Sequence, residues 1–421
     1  MTPKPKTVSN PAPRAQDSGR RDRLGVWLFG GLGGLSTTVV AGAAAVVRKL
    51  APSRGLLSES ALTAGLGLTE LSDLVFGGHD IRLGDPLAAA REIGAANGSL
   101  PLGWLDAIAP ELRAYGKRLR IGTTANAGRT IRALADAEEA TREVSLGECR
   151  ERIVADIREF MRREKLTRCV CVNLCSTEPK LSPHKDHANP AGIERIFARD
   201  EQKKVRPSTI YAAAAAELGL PFVHFTPSDA TLLPGMQQSF IARGIPFAGC
   251  DGKTGETLVK TALAPLFRYR DLNVLSWLGY NMLGDRDGVV LADAENKASK
   301  VESKDKVLER VLGYPAYSRV GIDYVPSLGD QKTAWDFIHF EGFLGYRMSL
   351  QFTWQGCDAI LAAPLVLDLV RLCDFAHRRG EVGALGDLAI FFKQPIGSSV
   401  HNLHEQWLML ERWIAKLAAG R

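Results

Sequence analysis

The chain has 421 residues, which is longer than the size at which a single hydrophobic core keeps growing, so we expect two domains. Its 53 basic and 47 acidic side chains give a formal net charge of +6, and residues 1–21 hold five basic side chains against one acidic one. The rest of the chain is therefore close to neutral. It lacks the broad basic surface that duplex binding requires, which excludes a nucleic acid as partner.

The N-terminal region combines a polar tail with an uncharged segment. Residues 1–20 contain four prolines and almost no bulky apolar side chains, which predicts a disordered tail. Residues 24–47 carry no charge and follow Arg20-Arg21, as a membrane span or an export signal would. Glycines crowd positions 30–34, and each costs about 1 kcal/mol in a helix interior. We therefore expect a strand, a glycine turn and a helix, with membrane association as the alternative.

Strands and helices then alternate as far as residue 249, which is typical of a doubly wound α/β sheet. Buried strands are predicted at 24–29, 74–76, 169–174 and 221–225, with a turn at Gly77-Gly78. Helices are predicted at 37–50 and 210–218, and residues 136–165 are expected to be largely helical.

Beyond residue 249 the pattern changes. Residues 272–283, 318–329 and 347–354 alternate apolar and polar side chains, which indicates an open sheet with one covered face. A strongly apolar helix follows at 359–377 and an amphipathic one at 404–417, and we expect both to pack back on the first domain.

Residues 31–37 read Gly-Leu-Gly-Gly-Leu-Ser-Thr and lie between the first predicted strand and helix. Gly31, Gly33 and Gly34 permit a tight turn whose N–H groups approach a pyrophosphate at a helix N-terminus. A packing turn is the alternative, because Ser36 stands where the usual pattern has a third glycine.

Other polar residues follow later predicted strands. Asp80 lies where a ribose hydroxyl could be bound, although it is further from the glycines than usual, and a surface acid is the alternative. Asn173, Ser176 and Thr177 lie where open α/β sheets bind ligands, and a helix N-cap at Ser176 or Thr177 explains them equally well.

Lysines recur in four segments of the second half. Lys297, Lys300 and Lys304 fall within an arc of about 60° on a helix, which gathers charge for an anion or forms a solvated basic face. Residues 250–257, CDGKTGET, lack the glycine spacing of a P-loop and predict a cation-bearing turn. Lys332 follows Gly-Asp-Gln, and Lys393 sits between apolar neighbours, where it contributes to a site or extends to solvent. Asp358 either pairs with such a lysine or caps a helix.

Cysteines and histidines give no clear metal motif. Seven cysteines occur without a Cys-x-x-Cys pair, and those in the apolar run 169–175 are expected to be buried reduced thiols in a cytoplasmic protein. His184 and His187 lie between two prolines, so we interpret them as surface histidines of a loop.

In chain order, the motifs GLGG, FGGHDI, NLCSTEP, FTPS, GCDGKTGET, NMLGDRDG, SKVESK, YVPSLGDQK, CDAILAAPLVLDL and FFKQP resemble the myo-inositol-1-phosphate synthase family. The resemblance implies a Rossmann-type NAD-binding domain, residues 21–249 completed by 365–421, and an α/β catalytic domain, residues 250–364, whose open sheet builds a homotetramer. It also implies the first step of inositol biosynthesis, a redox-neutral conversion of D-glucose 6-phosphate into 1L-myo-inositol 1-phosphate. C5 is oxidised, the ketone enolises and attacks C1, and NADH reduces the ketone.

The resemblance assigns roles residue by residue. Lys304 and Lys332 are expected to handle the C5 hydroxyl and the enolate, Lys393 the C1 oxygen and Lys300 proton transfer, with Asp358 as a lysine partner. Asp251, Thr254 and Asn281 match substrate contacts. Cofactor contacts are expected from Gly31, Gly33, Gly34, Asp80, Asn173, Ser176, Thr177, Asp251 and Asp287. Asp287 is a nicotinamide-side or metal-side acid, a monovalent or divalent cation is an additional expected cofactor, and Lys297 has no assigned role.

Two departures from the family pattern leave other activities open. Leu35-Ser36 replaces the usual Asn-Asn after the glycines, and Asp285 stands where asparagine is usual. The alternatives are a related NAD-dependent cyclase for another sugar phosphate and an ordinary dehydrogenase.

Overall fold

Two β-sheets organise the chain in a computed structural model, which describes residues 22–284, 308–329 and 331–420. The strands are β1 Leu24–Phe29, β2 Leu74–Asp80, β3 Leu119–Ile121, β4 Arg168–Asn173, β5 Phe222–His224, β6 Pro246–Gly249, β7 Asn273–Leu283, β8 Tyr317–Tyr324, β9 Lys332–Glu341, β10 Arg347–Gly356 and β11 Gly383–Ala384. The first sheet has the order β11-β6-β5-β4-β1-β2-β3, and its strand pairs are parallel. Apart from β11, this is the strand order of dinucleotide-binding folds, which confirms the predicted fold class.

Helices cover both faces of the first sheet and one face of the second. Their bounds are α1 Gly34–Val47, α2 Pro86–Asn97, α3 Leu102–Ala107, α4 Ala109–Gly116, α5 Arg129–Ala133, α6 Glu138–Thr141, α7 Leu146–Arg163, α8 Pro190–Ala198, α9 Pro207–Leu218, α10 Pro234–Ala242, α11 Gly255–Tyr269, α12 Asp358–Arg378 and α13 Leu403–Ala418.

The central strand β1 separates two hydrophobic cores. Leu24, Val26 and Leu28 face one core, which α1, α12 and α13 also line, while Trp27 and Phe29 face the other, which α7, α9 and α10 line. Successive side chains of a strand point to opposite faces, so a continuous apolar run is needed where both faces are covered.

The C-terminal helices pack back on the first sheet, as predicted. Side chains of α12 and α13 belong to the same core as Val26 and Leu28. Buried polar contacts add to this packing, since the Asp368 carboxylate accepts hydrogen bonds from the backbone N–H groups of Leu57 and Ser58, each at 2.9 Å. The domain boundaries at 249 and 364 stay a prediction.

The second sheet has the order β10-β9-β7-β8, with β7 and β8 parallel and the other pairs antiparallel. Helix α11 covers one face, where its Phe267 packs against Trp277 with ring centroids 6.1 Å apart. The other face carries stacked rings from Tyr280, Trp335, Phe337 and His339.

Charged side chains are buried between α11 and the second sheet. Lys260 lies 2.6 Å from Glu256 Oε1 and 3.9 Å from Asp336 Oδ1, and these three residues are each at most 2 % exposed. Trp277 donates its indole N–H to Asp336 Oδ1 at 2.7 Å. Burying charge is costly unless it is paired, so this cluster holds α11 in one position on the sheet.

Most predicted elements are confirmed with small shifts at their ends, but the turn at Gly77-Gly78 is wrong. Both glycines lie inside β2, because a Cβ on Gly77 would lie 2.8 Å from the ring of Trp27 and a Cβ on Gly78 would lie 2.2 Å from the Leu28 carbonyl oxygen. These glycines serve close packing rather than chain reversal. The uncharged segment 24–47 forms β1, the glycine turn and α1, and no described helix is long and apolar enough to cross a membrane.

Replacing Gly78 by alanine is expected to lower the free energy of unfolding by about 2–3 kcal/mol, because the added methyl group overlaps the neighbouring strand. Gly42 in α1 is the matched control, since a Cβ there meets no atom within 4 Å and alanine is expected to add about 0.4–1 kcal/mol. Urea unfolding followed by far-ultraviolet circular dichroism compares the two variants. Equal midpoints would contradict the close packing.

Replacing Lys260 by methionine is expected to lower the free energy of unfolding by about 3–5 kcal/mol, because it removes the ammonium group that lies between two buried carboxylates. The partly exposed pair of Lys204 and Glu201 provides the control, where Lys204→Met should cost less than about 1 kcal/mol. A similar loss in the two variants, measured by urea unfolding, would show that burial of the first pair has no energetic consequence.

Candidate active site

The glycine turn connects β1 to α1 at the carboxyl edge of the first sheet. The N–H groups of Gly30 and Gly31 both donate to the His79 carbonyl at 2.8 Å, and Gly30 has a φ of +86°. A Cβ on Gly31 would lie 2.7 Å from a methyl group of Leu119, whereas a Cβ on Gly34 would meet nothing within 4 Å. The turn is therefore closely packed at Gly31 and open at Gly34, where α1 begins.

Gly33 is the N-cap residue of α1, so no side chain caps the backbone N–H groups of the first helical turn. Helix N-termini of this kind bind phosphate groups through the unpaired N–H groups and the helix dipole. Ser36 does not interfere with such binding, because its hydroxyl donates to the Gly30 carbonyl at 2.7 Å. This hydrogen bond holds the turn at the position where the usual pattern has a third glycine.

Asp80 is buried at the end of β2, so the interpretation as a surface acid is wrong. Its Oδ2 atom accepts a hydrogen bond from the Leu32 N–H at 2.7 Å, and its Oδ1 atom accepts one from the Arg82 N–H at 2.9 Å. The carboxylate therefore anchors the glycine turn to the adjacent strand. Its contact with a ribose stays a prediction.

Polar residues follow β4 beside the turn, at the point where the strand order reverses. The buried Asn173 amide donates to Thr226 Oγ1 at 2.9 Å and to His224 Nδ1 at 3.2 Å, which leaves the Nε2–H of His224 to donate to the Ser228 carbonyl at 2.7 Å. Burial lowers the pKa of His224 to about 4, so the ring is neutral. Ser176 and Thr177 follow in irregular backbone, and the interpretation of either as a helix N-cap is wrong.

Glu178, which the sequence analysis missed, anchors this segment to α9. Its carboxyl group accepts a hydrogen bond from the Ser208 N–H at 2.9 Å and contacts the Ser208 hydroxyl group. Burial raises the pKa of the Glu178 carboxyl to about 7. Glu178 follows Thr177 directly, so its hydrogen bonds to Ser208 hold the segment that carries the predicted cofactor contacts Ser176 and Thr177.

Residues 250–254 continue from β6 and pair with a segment before α13. Cys250 N–H donates to the Gln394 carbonyl at 2.8 Å, and Lys393 N–H donates to the Asp251 carbonyl at 2.7 Å. A Cβ on Gly252 would lie 2.1 Å from the ring of Phe225, so only glycine fits there. This antiparallel contact joins two parts of the chain that are far apart in sequence.

The contact brings together the first pair of predicted site residues. Lys393 Nζ lies 2.8 Å from Asp251 Oδ1, and both residues are buried. Because β6 belongs to the parallel sheet, its carboxyl end and the loop after it lie on the same edge as the glycine turn. The prediction that Lys393 either joins a site or extends to solvent is thus resolved in favour of a buried ion pair.

The second pair forms where three elements begin. Lys332, the first residue of β9, lies 3.0 Å from Asp358 Oδ2 at the start of α12, and the Thr254 hydroxyl before α11 lies 3.4 Å from Asp358 Oδ1. Cys357 occupies the N-cap of α12, so Asp358 is a lysine partner and not that cap.

Asn281 is buried on β7 and is held by Glu256, to which its amide donates at 2.5 Å. Glu256 and Lys260 were missed in the sequence analysis, although their spacing of four residues in a helix was a usable signal. Lys297, Lys300, Lys304, Asp285 and Asp287 lie outside the described residues.

In the described ranges, no group of three or more His, Cys, Asp or Glu side chains could hold a metal ion, and the expected cation stays a prediction.

The interpretation of His187 as a surface residue is wrong, because the residue is buried and its Nε2 lies 2.8 Å from the Lys204 carbonyl. All seven cysteines are free thiols. Cys169 and Cys171 are buried as predicted, whereas Cys175 is only partly buried.

The arrangement combines a dinucleotide-type turn with two buried or half-buried ammonium groups, each beside a carboxylate. Such groups stabilise developing oxyanions and transfer protons without reorganisation of solvent. The geometry therefore suits reactions that form an alkoxide or an enolate next to a bound nucleotide.

Comparison with known proteins identifies the family. The family model described as myo-inositol-1-phosphate synthase matches residues 24–415. Inositol-3-phosphate synthase 1 of Bacteroides thetaiotaomicron is 32 % identical over 418 residues, which covers 94 % of this chain and 95 % of the relative. Inositol-3-phosphate synthase of Trypanosoma brucei brucei is 30 % identical over 262 residues, 60 % of this chain and 49 % of the relative.

Two solved structures share the fold. Inositol-3-phosphate synthase from Caenorhabditis elegans superposes with a TM-score of 0.82 and 22 % identity, covering 95 % of this chain and 86 % of the other. A myo-inositol-1-phosphate synthase-related protein from Thermotoga maritima gives a TM-score of 0.75 and 20 % identity over 93 % of this chain and 98 % of the other. The family match over residues 24–415 and the relative that is 32 % identical over 94 % of this chain show that the chain belongs to the myo-inositol-1-phosphate synthase family.

Proposed function

We propose that the protein converts D-glucose 6-phosphate into 1L-myo-inositol 1-phosphate with bound NAD, in the first step of inositol biosynthesis. The observation that carries the proposal is the presence of two lysine–carboxylate pairs, Lys393 with Asp251 and Lys332 with Asp358, beside the carboxyl edge of a dinucleotide-binding sheet. A relative that covers nearly the whole chain is an inositol-3-phosphate synthase.

The residues around the glycine turn fit NAD. The space above Gly34 is open, and the buried Thr37 hydroxyl has no hydrogen-bond partner among the described residues. Gly31, Gly33 and Gly34 would hold the diphosphate. The other proposed cofactor contacts among the described residues are Asp80, Asn173, Ser176, Thr177 and Asp251. Bound NAD would take a hydride from C5 of the substrate and later return it, so no net oxidant is consumed.

The chain's own residues would handle protons and oxyanions. Lys332 would stabilise the C5 oxygen and the enolate, and Lys393 would stabilise the C1 oxygen as the ring closes. Asp251 and Asp358 hold the ammonium groups of Lys393 and Lys332 at 2.8 and 3.0 Å, which would position each group beside the oxygen that it stabilises. Thr254 and Asn281 would orient the sugar, and Lys300 and Lys304 would complete the set together with Asp287.

The proposal includes a homotetramer built through the second sheet. The face opposite α11 carries stacked aromatic rings, and the turn before β10 exposes Phe343 and Leu344, each 88 % exposed, and Tyr346, 71 % exposed. Apolar surface of this kind marks an association surface. Further copies of the chain are the proposed partner.

A cytoplasmic location is also part of the proposal. All seven cysteines are free thiols, which is the usual state in a reducing compartment.

Purified protein supplied with D-glucose 6-phosphate and NAD is expected to form inositol 1-phosphate without net NADH, because the hydride is returned. Phosphorus NMR identifies the product, and absorbance measures NADH. Stoichiometric NADH would favour an ordinary dehydrogenase. Turnover of a different sugar phosphate alone would favour a related cyclase, to which the changes at Leu35, Ser36 and Asp285 would then be relevant.

Lys393→Met is expected to lower kcat about 100- to 1000-fold while NAD remains bound, because the variant loses an oxyanion donor and keeps the glycine turn. The surface pair of Lys416 and Glu381 supplies the control, and Lys416→Met should leave kcat unchanged. Rates come from product formation, and NAD retention from the absorbance of denatured protein. Normal turnover in the Lys393 variant would remove the proposed role.

A further inference from the structure

An open cavity lies beside residues 250–254, the active-site loop, and Lys253 is one of its lining residues. It has a volume of about 660 Å³, opens to solvent, and is bordered by α11, the start of α13 and one side of α12. This volume is in the range of roughly 300–1,000 Å³ that is usual for small-molecule sites. Its walls are mainly apolar, with contributions from Leu258, Pro265, Leu365, Phe391 and Trp407. None of the predicted catalytic or cofactor residues that the structure describes is among its lining residues.

Lys253 provides a buried positive charge in this cavity. The residue is 2 % exposed, and its ammonium group donates to the side-chain oxygen of Gln406. Among the described residues it forms no ion pair with a carboxylate. The contrast with Lys393, which lies 2.8 Å from Asp251, is direct. Burial lowers the pKa of Lys253 to about 7, as expected for an ammonium group without a counter-ion.

Other charged and polar groups around Lys253 are compatible with an anion. Arg310 contacts the ring of His401 at 2.7 Å, and burial together with the positive charges of Arg310 and Lys253 lowers the pKa of His401 to about 4. Asp368 also lines the cavity, but both its oxygens accept hydrogen bonds from the N–H groups of Leu57 and Ser58. The carboxylate is thus directed to the backbone, and burial raises its pKa to about 6.

An apolar cavity with one buried ammonium favours a ligand that has an apolar body and one negative group. A neutral apolar ligand would leave the ammonium without a counter-charge, and a small inorganic anion would leave the apolar walls unfilled. We propose that this cavity binds a small amphiphilic carboxylate, whose head pairs with Lys253 and whose body packs between α11, α12 and α13.

The location connects the cavity to the active-site loop. Lys253 lies between Asp251 and Thr254, and its N–H donates to the Phe391 carbonyl at 2.8 Å. Phe391 lines the cavity and is two residues from Lys393. The site is nevertheless separate from the reaction, and the inference does not depend on the proposed function.

Calorimetric titration of the full-length protein with decanoate and with decan-1-ol tests the proposal, because the two probes share an apolar body and differ in charge. Decanoate is expected to bind with one site per chain and about tenfold or more tighter than decan-1-ol, which is the fold-change of a charge-assisted hydrogen bond. Equal affinity of the two probes, or no binding of decanoate, would overturn the proposal.

Two variants locate the binding. Lys253→Met should reduce the affinity for decanoate to that for decan-1-ol. Ala262→Trp at the exposed rim should block both probes, whereas Ala415→Trp, on an exposed position of α13 outside the cavity, should leave binding unchanged. The rim variant keeps the test decisive if loss of Lys253 prevents folding.

Sedimentation of the rim variant completes the experiment. An unchanged oligomeric state together with loss of decanoate binding supports a ligand site. Dissociation of the oligomer in Ala262→Trp would identify the cavity as a contact between copies and overturn the proposal, as would decanoate binding that is unaffected by Ala262→Trp.

Discussion

The backbone pairing between residues 250–254 and 391–396 is the contact on which the site depends. Asp251 and Lys393 are 142 residues apart in sequence, yet their side chains meet at 2.8 Å because the Lys393 N–H donates to the Asp251 carbonyl at 2.7 Å. The loop begins where β6 leaves the parallel sheet, and the second segment precedes α13, which packs on the first core. The contact that packs the C-terminal segment on the first domain therefore also brings the site residues together.

Buried lysines in this chain are stabilised in two different ways. Lys260 and Lys393 lie within 2.8 Å of a carboxylate, whereas Lys253 contacts the neutral amide of Gln406. A carboxylate offsets much of the desolvation penalty of an ammonium, and an amide offsets less of it. At Lys393 the carboxylate holds the ammonium group where a developing oxyanion would be stabilised. The second arrangement leaves the Lys253 ammonium without a carboxylate among the described residues, and the proposed anionic ligand would supply the counter-charge.

Local pattern was sufficient for elements whose packing follows a simple rule. β1 and β4 are covered on both faces and read as apolar runs, while Gly77 and Gly78 imitate a turn although they are needed for contact with Trp27 and Leu28. β9 was missed for a related reason. Its covered face carries the buried Asp336, while Trp335 and Phe337 lie on the open face, so the usual alternation of apolar and polar residues is absent.

The same reasoning separates the site residues that were found from those that were missed. Lys332, Lys393, Asp251 and Asp358 stand in motifs that the family resemblance identifies, and the structure joins them in two pairs. Glu256 and Lys260 were not recognised, because charged side chains in a helix ordinarily indicate solvent. Their burial becomes visible only in the structure.

Helix α11 connects the candidate site to the second sheet. At about 100° per residue, Glu256, Lys260 and Phe267 fall on one side, facing the second sheet, while Ala262, Pro265 and Tyr269 fall on the opposite side, lining the cavity. The start of the helix contacts Asp358 through Thr254 and holds Asn281 through Glu256. Displacement of α11 would therefore disturb a carboxylate partner and a substrate contact together, and its buried ion pair with the sheet opposes such displacement.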